Sequence, residues 1–326
     1  MKLLIFLIRM VFSEEILSLK NGRGELMYGI IHHPPKPNGA LVVMFNIGLH
    51  YRVCHSRLFV RQARELQQEG FTVVRLDTSK VGYSHGEIPV GRAIDSYDAV
   101  QTGLFVDDAL IFLQHLREKL RPTKVLCTGL CGGALTAIIT AARDMNVDGV
   151  VFIAGPVTVT SAEYELSTLH PFHADIMVAG YMKRLLRPDA WLRFFSGRTS
   201  YRDLLRSFKV KLTHKLRPRR QKTKSEYDDV LEPEEDKGNR FNRVFYESFD
   251  SLVRSGKHTL FLMPELDHAT YDFDNVFAKP VLRQYAEFTG YYSVARIPKA
   301  NHTFSTPIST RQLFDTTAQW LKKRLE

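Results

Sequence analysis

The chain has 326 residues, 44% of them hydrophobic and 25% charged, which is enough to bury a large core and excludes a disordered or fibrous chain. Three cysteines, Cys54, Cys127 and Cys131, cannot all pair with one another, and so low and odd a count argues against a disulfide framework and for a reducing, cytoplasmic setting. The net charge of +10 is local: residues 183–224 hold fifteen Lys and Arg against Asp189 and Asp203, a net +13, and the rest of the chain sums to −3.

The opening run MKLLIFLIRM is apolar but short, and Arg9 interrupts it. A membrane span needs roughly 20 apolar residues, and no small-residue cleavage site follows. Residues 1–13 are read as an N-terminal extension; translation from Met10 would remove most of its apolar run. EEILSL and LMYGIIH then predict an antiparallel edge hairpin. From ALVVMFN onward, apolar strands (FTVVRLD, KVLCTG, GVVFIAG, TLFLM, YYSVARIP) alternate with helices. HSRLFVRQARELQQEG spaces Leu58, Phe59, Ala63 and Leu66 for one helix face and stops at Gly70. SYDAVQTGLFVDDALIFLQHLREKL predicts one longer helix, GGALTAIITAARDM another, and STRQLFDTTAQWLKKRL the last. Such alternation implies a mostly parallel sheet covered on both faces. It breaks across residues 156–256, which are read as a basic helical cap inserted between core segments 14–155 and 257–326. A polar loop around 217–240 is expected inside it.

The strand KVLCTGL runs into Gly129-Leu130-Cys131-Gly132-Gly133, a G-x-C-x-G frame. It is the thiol form of a nucleophile elbow. A chain turning from strand to helix in so few residues leaves the central side chain exposed, and glycines relieve the backbone crowding on either side. The following helix aims its free N–H groups and positive end at the sulfur, favouring thiolate. The Gly132 N–H can face a developing oxyanion. In such elbows the acid and then the histidine follow along the chain. His302, in a loop after YYSVARIP, holds the histidine's place. Asp267, after TLFLMPEL, holds the acid's, with Glu265, Asp272 and Asp274 as rivals. A second oxyanion donor is expected from the backbone of Ile47 or Leu49 in FNIGLHYRVCHSR. Asn46, Tyr51 and Arg52 are expected to line the substrate pocket, and Arg52 suits a carboxylate or phosphate.

Together these pieces resemble an α/β-hydrolase: an eight-stranded, mostly parallel sheet with helices on both faces and an inserted helical cap. Asp77-Thr78-Ser79-Lys80-Val81-Gly82-Tyr83-Ser84-His85-Gly86 resembles the D-x-x-G-x-G-x-S-x-G turn of that superfamily, with Lys80-Val81 as a departure. Tyr51-Arg52-Val53-Cys54-His55-Ser56-Arg57 and Gly129-Leu130-Cys131-Gly132-Gly133-Ala134 resemble the Y-R-V-x-x-H-R loop and G-L-C-x-G-A elbow of hydrolases associated with exosortase and exopolysaccharide systems. These are relatives of the serine aminopeptidase-like hydrolases. The resemblance implies a Cys-His-Asp enzyme acting on an ester or thioester of a small molecule or acyl carrier, by hydrolysis or by acyl transfer to a sugar or amine. No metal or cofactor is expected, because HExxH, zinc-type cysteine spacing and nucleotide-binding glycine loops are all missing from the sequence. A rival reading makes the fold a non-catalytic binding module. Its basic insertion would then dock on an anionic glycan, an acyl carrier or a membrane surface. Nucleic acid is disfavoured, as no motif for it is visible.

Overall fold

In a computed structural model, residues 13–88, 93–159 and 241–325 are described. Eight strands form one sheet: β1 (Ser13–Lys20), β2 (Leu26–His33), β3 (Ala40–Met44), β4 (Thr72–Asp77), β5 (Lys124–Leu130), β6 (Gly149–Ile153), β7 (His258–Pro264) and β8 (Tyr292–Ile297). Their order is β1-β2-β4-β3-β5-β6-β7-β8. β1 pairs antiparallel with β2, and β2 antiparallel with β4. Every later pairing is parallel. This is the mostly parallel sheet with an antiparallel edge that the sequence pattern implies.

Strand alternation divides the core into two layers. Leu41, Val43 and Phe45 point to one face, where Val125, Cys127, Val150, Phe152, Phe261 and Met263 join them. Ala40, Val42 and Met44 point to the other, with Leu126, Leu130, Val151, Ile153, Leu260 and Leu262. Such continuous apolar strands require helices on both sides. The first face is covered by α3 (Val106–Leu120), α4 (Gly132–Arg143) and α5 (Arg243–Arg254). The second is covered by α1 (Leu58–Gln68) and the C-terminal α6 (Pro307–Lys322).

One boundary differs from the sequence expectation. The single helix expected over 96–120 is two: α2 (Ala93–Gln101) ends, and α3 starts at Val106. Gly103 between them has φ +113, a conformation that L side chains rarely adopt and that a continuous helix does not contain. Of the expected cap, 156–256, only residues 156–159 and 241–256 are described. Residues 160–240 lie outside the described residues, and with them the expected polar loop and the whole basic cluster. The Arg243–Arg254 helix, however, belongs to the same compact unit as the sheet. Its Phe245, Phe249, Leu252 and Val253 recur at helical spacing and enter the core against Phe261 and Phe277. Asn242 caps it, its side-chain oxygen accepting from the Phe245 N–H at 3.1 Å.

Candidate functional site

β5 ends in Leu130 and α4 begins at Gly132, so one residue makes the turn. That residue, Cys131, has φ 56 and ψ −123, a strained conformation for a residue with a side chain. Its own N–H donates to Ile153 O at 2.9 Å, and its carbonyl accepts from Ala134 N–H at 3.0 Å. The flanking glycines are required by contact. A Cβ on Gly129 would lie 2.2 Å from the Gly133 carbonyl, and one on Gly133 would lie 2.5 Å from Asn46 O. The turn leaves the Cys131 thiol partly exposed, unlike Cys127.

The three cysteines differ in chemistry. Burial pushes the Cys127 thiol well above its usual range. Burial also pushes Cys54 up to about 12, although backbone N–H groups of His55 and Phe59 partly offset it. Both are held as inert thiols. Cys131 is the one whose thiol interacts with an imidazole, that of His302, and contributes to raising the ring's pKa.

His302 follows β8 on the loop before α6. Its Nδ1 lies 2.6 Å from Asp267 Oδ2, so Nδ1–H donates to the carboxylate and the other ring nitrogen is left for the sulfur. Burial disfavours the charged ring. The hydrogen bonds to Asp267 and Cys131 outweigh it and raise His302 to about 10. Asp267 is buried, which alone would raise its pKa; hydrogen bonds from His268 and His302 reverse this and hold it well below the usual carboxylate range. The backbone fixes this acid: Leu266 N–H donates to Ala300 O at 2.8 Å, and Asp267 Oδ1 accepts from Ala269 N–H at 3.2 Å.

The rival carboxylates are engaged elsewhere. Glu265 accepts from the Lys299 N–H at 2.7 Å. Asp272 accepts from Thr158 Oγ1 at 3.0 Å. Asp274 pairs with Arg296. The hydrogen-bonded His302–Asp267 pair and the elbow cysteine thus share the carboxyl ends of the parallel strands, where α/β sheets place their ligands.

The loop after β3 lies against the elbow. Gly48, at φ 51, sits against Gly132: a Cβ on Gly132 would lie 2.9 Å from Gly48 Cα and 3.2 Å from Gly48 N. The sequence points to Ile47 and Leu49 for the second backbone donor, whereas the residue against Gly132 is the glycine between them. Ile47 is buried, its carbonyl accepting from His50 N–H at 2.9 Å, and Leu49 packs beside Val81, Val100 and Phe105. Gly132 is the first helical residue of α4, where an N–H has no intrahelical acceptor.

Two expected pocket residues make structural contacts. Asn46 is buried; its amide donates to Gly48 O at 2.5 Å and its oxygen accepts from Thr78 Oγ1 at 3.0 Å, which shapes the loop. Arg52 is bound to the buried Asp77 by an ion pair, and its own N–H donates to Asp77 Oδ1 at 2.5 Å. Burial raises the pKa of Asp77, and the Arg52 contacts work against that rise. Gly82 completes the packing, since a Cβ there would lie 2.4 Å from Asp77 Oδ2 and 2.8 Å from Tyr51 Cβ. Tyr51 is exposed, edge-on to Tyr83 at 6.5 Å, and remains available at the rim. Sequence reasoning missed His55 and His268, whose positions beside His302 emerge only in three dimensions. His55 is lowered by burial and by the charges of His50 and His302.

A family model described as serine aminopeptidase, S33, matches residues 38–209. No curated protein matches the chain. Among solved structures, an esterase from Pyrococcus furiosus superposes with a TM-score of 0.53 at 13% identity, covering 98% of this chain and 94% of that one. DcsB in complex with a substrate analogue gives 0.54 at 13% identity, over 96% and 100%. Est1E from Butyrivibrio proteoclasticus with bound ferulic acid gives 0.50 at 11% identity, over 95% and 99%. At these identities the likeness is one of fold. No helix among the described residues is long and apolar enough to cross a membrane.

Proposed function

The chain belongs to the serine aminopeptidase S33 family of α/β-hydrolases, and on that footing we propose that it cleaves an ester or thioester with Cys131 in the place of a serine nucleophile. The observation that carries this reading is the His302 ring, hydrogen-bonded to the buried Asp267 carboxylate and interacting with the cysteine on a positive-φ elbow. A raised imidazole pKa keeps a proton on the ring, available to the leaving group.

The Cys131 sulfur attacks the acyl carbon, and the carbonyl π electrons move to oxygen. The Gly132 N–H and the 47–49 turn receive that oxyanion, with the Gly48 backbone in contact with the elbow. As the carbon–oxygen or carbon–sulfur bond breaks, His302 gives its proton to the leaving group, and an acyl-thioester on Cys131 remains. Water then attacks this thioester while His302 takes its proton; the acid leaves and the thiol is restored. Asp267 keeps Nδ1 protonated throughout. A thioester is readily aminolysed, so a hydroxyl or amine acceptor in place of water makes the same site an acyltransferase. The loop at 51–57 and the elbow at 129–134 support a tie to the exosortase-associated subgroup, and through it to exopolysaccharide metabolism.

The test uses short-chain 4-nitrophenyl esters and acyl-thioesters, a choice that follows the esterases among the fold neighbours. Turnover is expected, with an acyl adduct on Cys131 in intact mass spectra and rapid alkylation of the same residue by iodoacetamide at neutral pH. Cys131→Ala abolishes turnover with its circular dichroism unchanged. Retained turnover in Cys131→Ala overturns the nucleophile assignment. Slow alkylation with no turnover of any ester or thioester favours a binding module.

A further inference from the structure

We propose that His268 is a positioning residue for this site: by hydrogen-bonding one oxygen of Asp267, it holds the carboxylate so that the other oxygen meets His302. The inference rests on the preceding reading of Asp267 and His302 and concerns a residue that this reading does not use.

The geometry is a carboxylate shared by two imidazoles. His302 Nδ1 takes Oδ2 at 2.6 Å, and His268 Nδ1 takes Oδ1 at 3.2 Å. The two rings lie nearly parallel, 20° apart, with centroids at 6.1 Å. Asp267 is buried while His268 is half exposed, so His268 closes the solvent side of the acid. Its place follows from the chain. Asp267 is the N-cap of the short helix His268–Asp272, with φ −135 and ψ 142, and the turn into that helix brings the next side chain back over the carboxylate. Thr270 Oγ1 anchors the same turn to Pro264 O at 2.5 Å. Without His268, Oδ1 keeps one donor, the Ala269 N–H at 3.2 Å. A buried carboxylate needs several donors to stay ionised and in one rotamer. Burial raises the pKa of Asp267, and the His268 hydrogen bond is the largest of the contributions that oppose it.

The useful property of His268 is therefore a donor at the δ position. Asparagine carries an amide nitrogen at the matching position on Cγ, whereas alanine carries nothing. His268→Ala is expected to lower kcat about tenfold with KM little changed, the size of one hydrogen bond to a charged group lost. Iodoacetamide alkylation of Cys131 at neutral pH should slow by a similar factor. His268→Asn should recover at least about a third of both rates, as fits a restored donor. The low-field proton NMR signal of the His302 Nδ1–H should broaden or move upfield in the alanine variant and return in the asparagine variant.

Wild-type rates and an unmoved signal in His268→Ala overturn the proposal. So does an asparagine variant as impaired as alanine, since that outcome makes the imidazole itself the requirement. The NMR signal needs neither substrate nor a reactive thiol. If wild-type Cys131 resists alkylation and no ester is turned over, the nucleophile reading fails while the signal still decides the role of His268. Thermal unfolding of both variants separates positioning from loss of fold.

Discussion

Replacing Asp267 by Asn probes the central pair directly. The carboxylate is buried and lies 2.6 Å from the His302 ring nitrogen. Burial by itself would keep the ring neutral, yet its hydrogen bonds to Asp267 and Cys131 hold it at about 10. A hydrogen bond to a charged group contributes about 1.5–3 kcal/mol, and one pKa unit is about 1.4 kcal/mol, so losing the carboxylate should lower His302 by about one to two units. The consequence for stability has a definite sign. A pKa raised above the unfolded value of 6.5 stabilises the fold in full below pH 6.5, and that contribution is lost as pH rises through 10. The wild-type chain should therefore lose more unfolding free energy than Asp267→Asn over this range. Titration of the imidazole nitrogens by NMR reads the pKa, and urea unfolding across the same range reads the linkage. Loss of the tautomer-fixing carboxylate costs about 10⁴ in kcat in a serine enzyme; a sulfur nucleophile needs its base less, so about 10² in kcat is expected here. A wild-type His302 that titrates near 6.5, or one that Asp267→Asn leaves unmoved, refutes the pairing.

Three further outcomes are expected. Gly129→Ala places a Cβ 2.2 Å from the Gly133 carbonyl, backbone that cannot step aside, and should cost about 4 kcal/mol or more of stability, read as insoluble or unfolded protein by circular dichroism. Phe249→Ala removes a ring packed on Phe261, Phe277, Tyr285 and Tyr292 and should lower the urea unfolding free energy by about 3–5 kcal/mol. Arg52→Ala strands the buried Asp77 and should cost about 3–5 kcal/mol, with much of it regained in Arg52→Ala/Asp77→Asn. Kinetics on the surviving folded fraction discriminate the two roles of Arg52: neutral and carboxylate-bearing esters should be affected alike, and a loss confined to the carboxylate-bearing ester would restore Arg52 to substrate binding.

Legibility in the sequence followed the range of each interaction. The strands were readable because both faces of the sheet are covered, which forces runs such as LVVMF and GVVFI to be apolar throughout. The elbow was readable because sterics place glycines at fixed offsets from Cys131, at Gly129 and Gly133. Chain order along the fold pointed to His302. Asp267 was favoured as its partner over three rival carboxylates between positions 265 and 274, and the backbone path, through the Leu266–Ala300 hydrogen bond and the turn at Asp267, is what positions it. The helix at 243–254 carried a readable period in Phe245, Phe249 and Leu252, but its neighbours in the sequence are charged, and proximity to them masked it.

Arg52 and His268 mark the limit of that reading, each for its own reason. An arginine beside an exposed tyrosine at a pocket loop looks like a substrate ligand because its residue type fits the task. What it does depends on which carboxylate reaches it first. Asp77, twenty-five positions along the chain, ends the buried strand β4 beside that loop, where a carboxylate without a partner costs several kcal/mol. The requirement to neutralise Asp77 therefore engages Arg52, and a side chain at position 82 would collide with the same carboxylate. His268 is the converse case. It adjoins Asp267 in sequence, so its contact is local, yet nothing in the dipeptide says that the chain enters a helix there and folds the ring back on the carboxylate. Burial of the acid is the common cause: both of these aspartates lie at the carboxyl ends of strands, and each draws the nearest donors to itself. At Asp77 the result is scaffold, because Arg52 is consumed. At Asp267 one oxygen is satisfied by His268 and Ala269, and the other is committed to the ring that faces the sulfur.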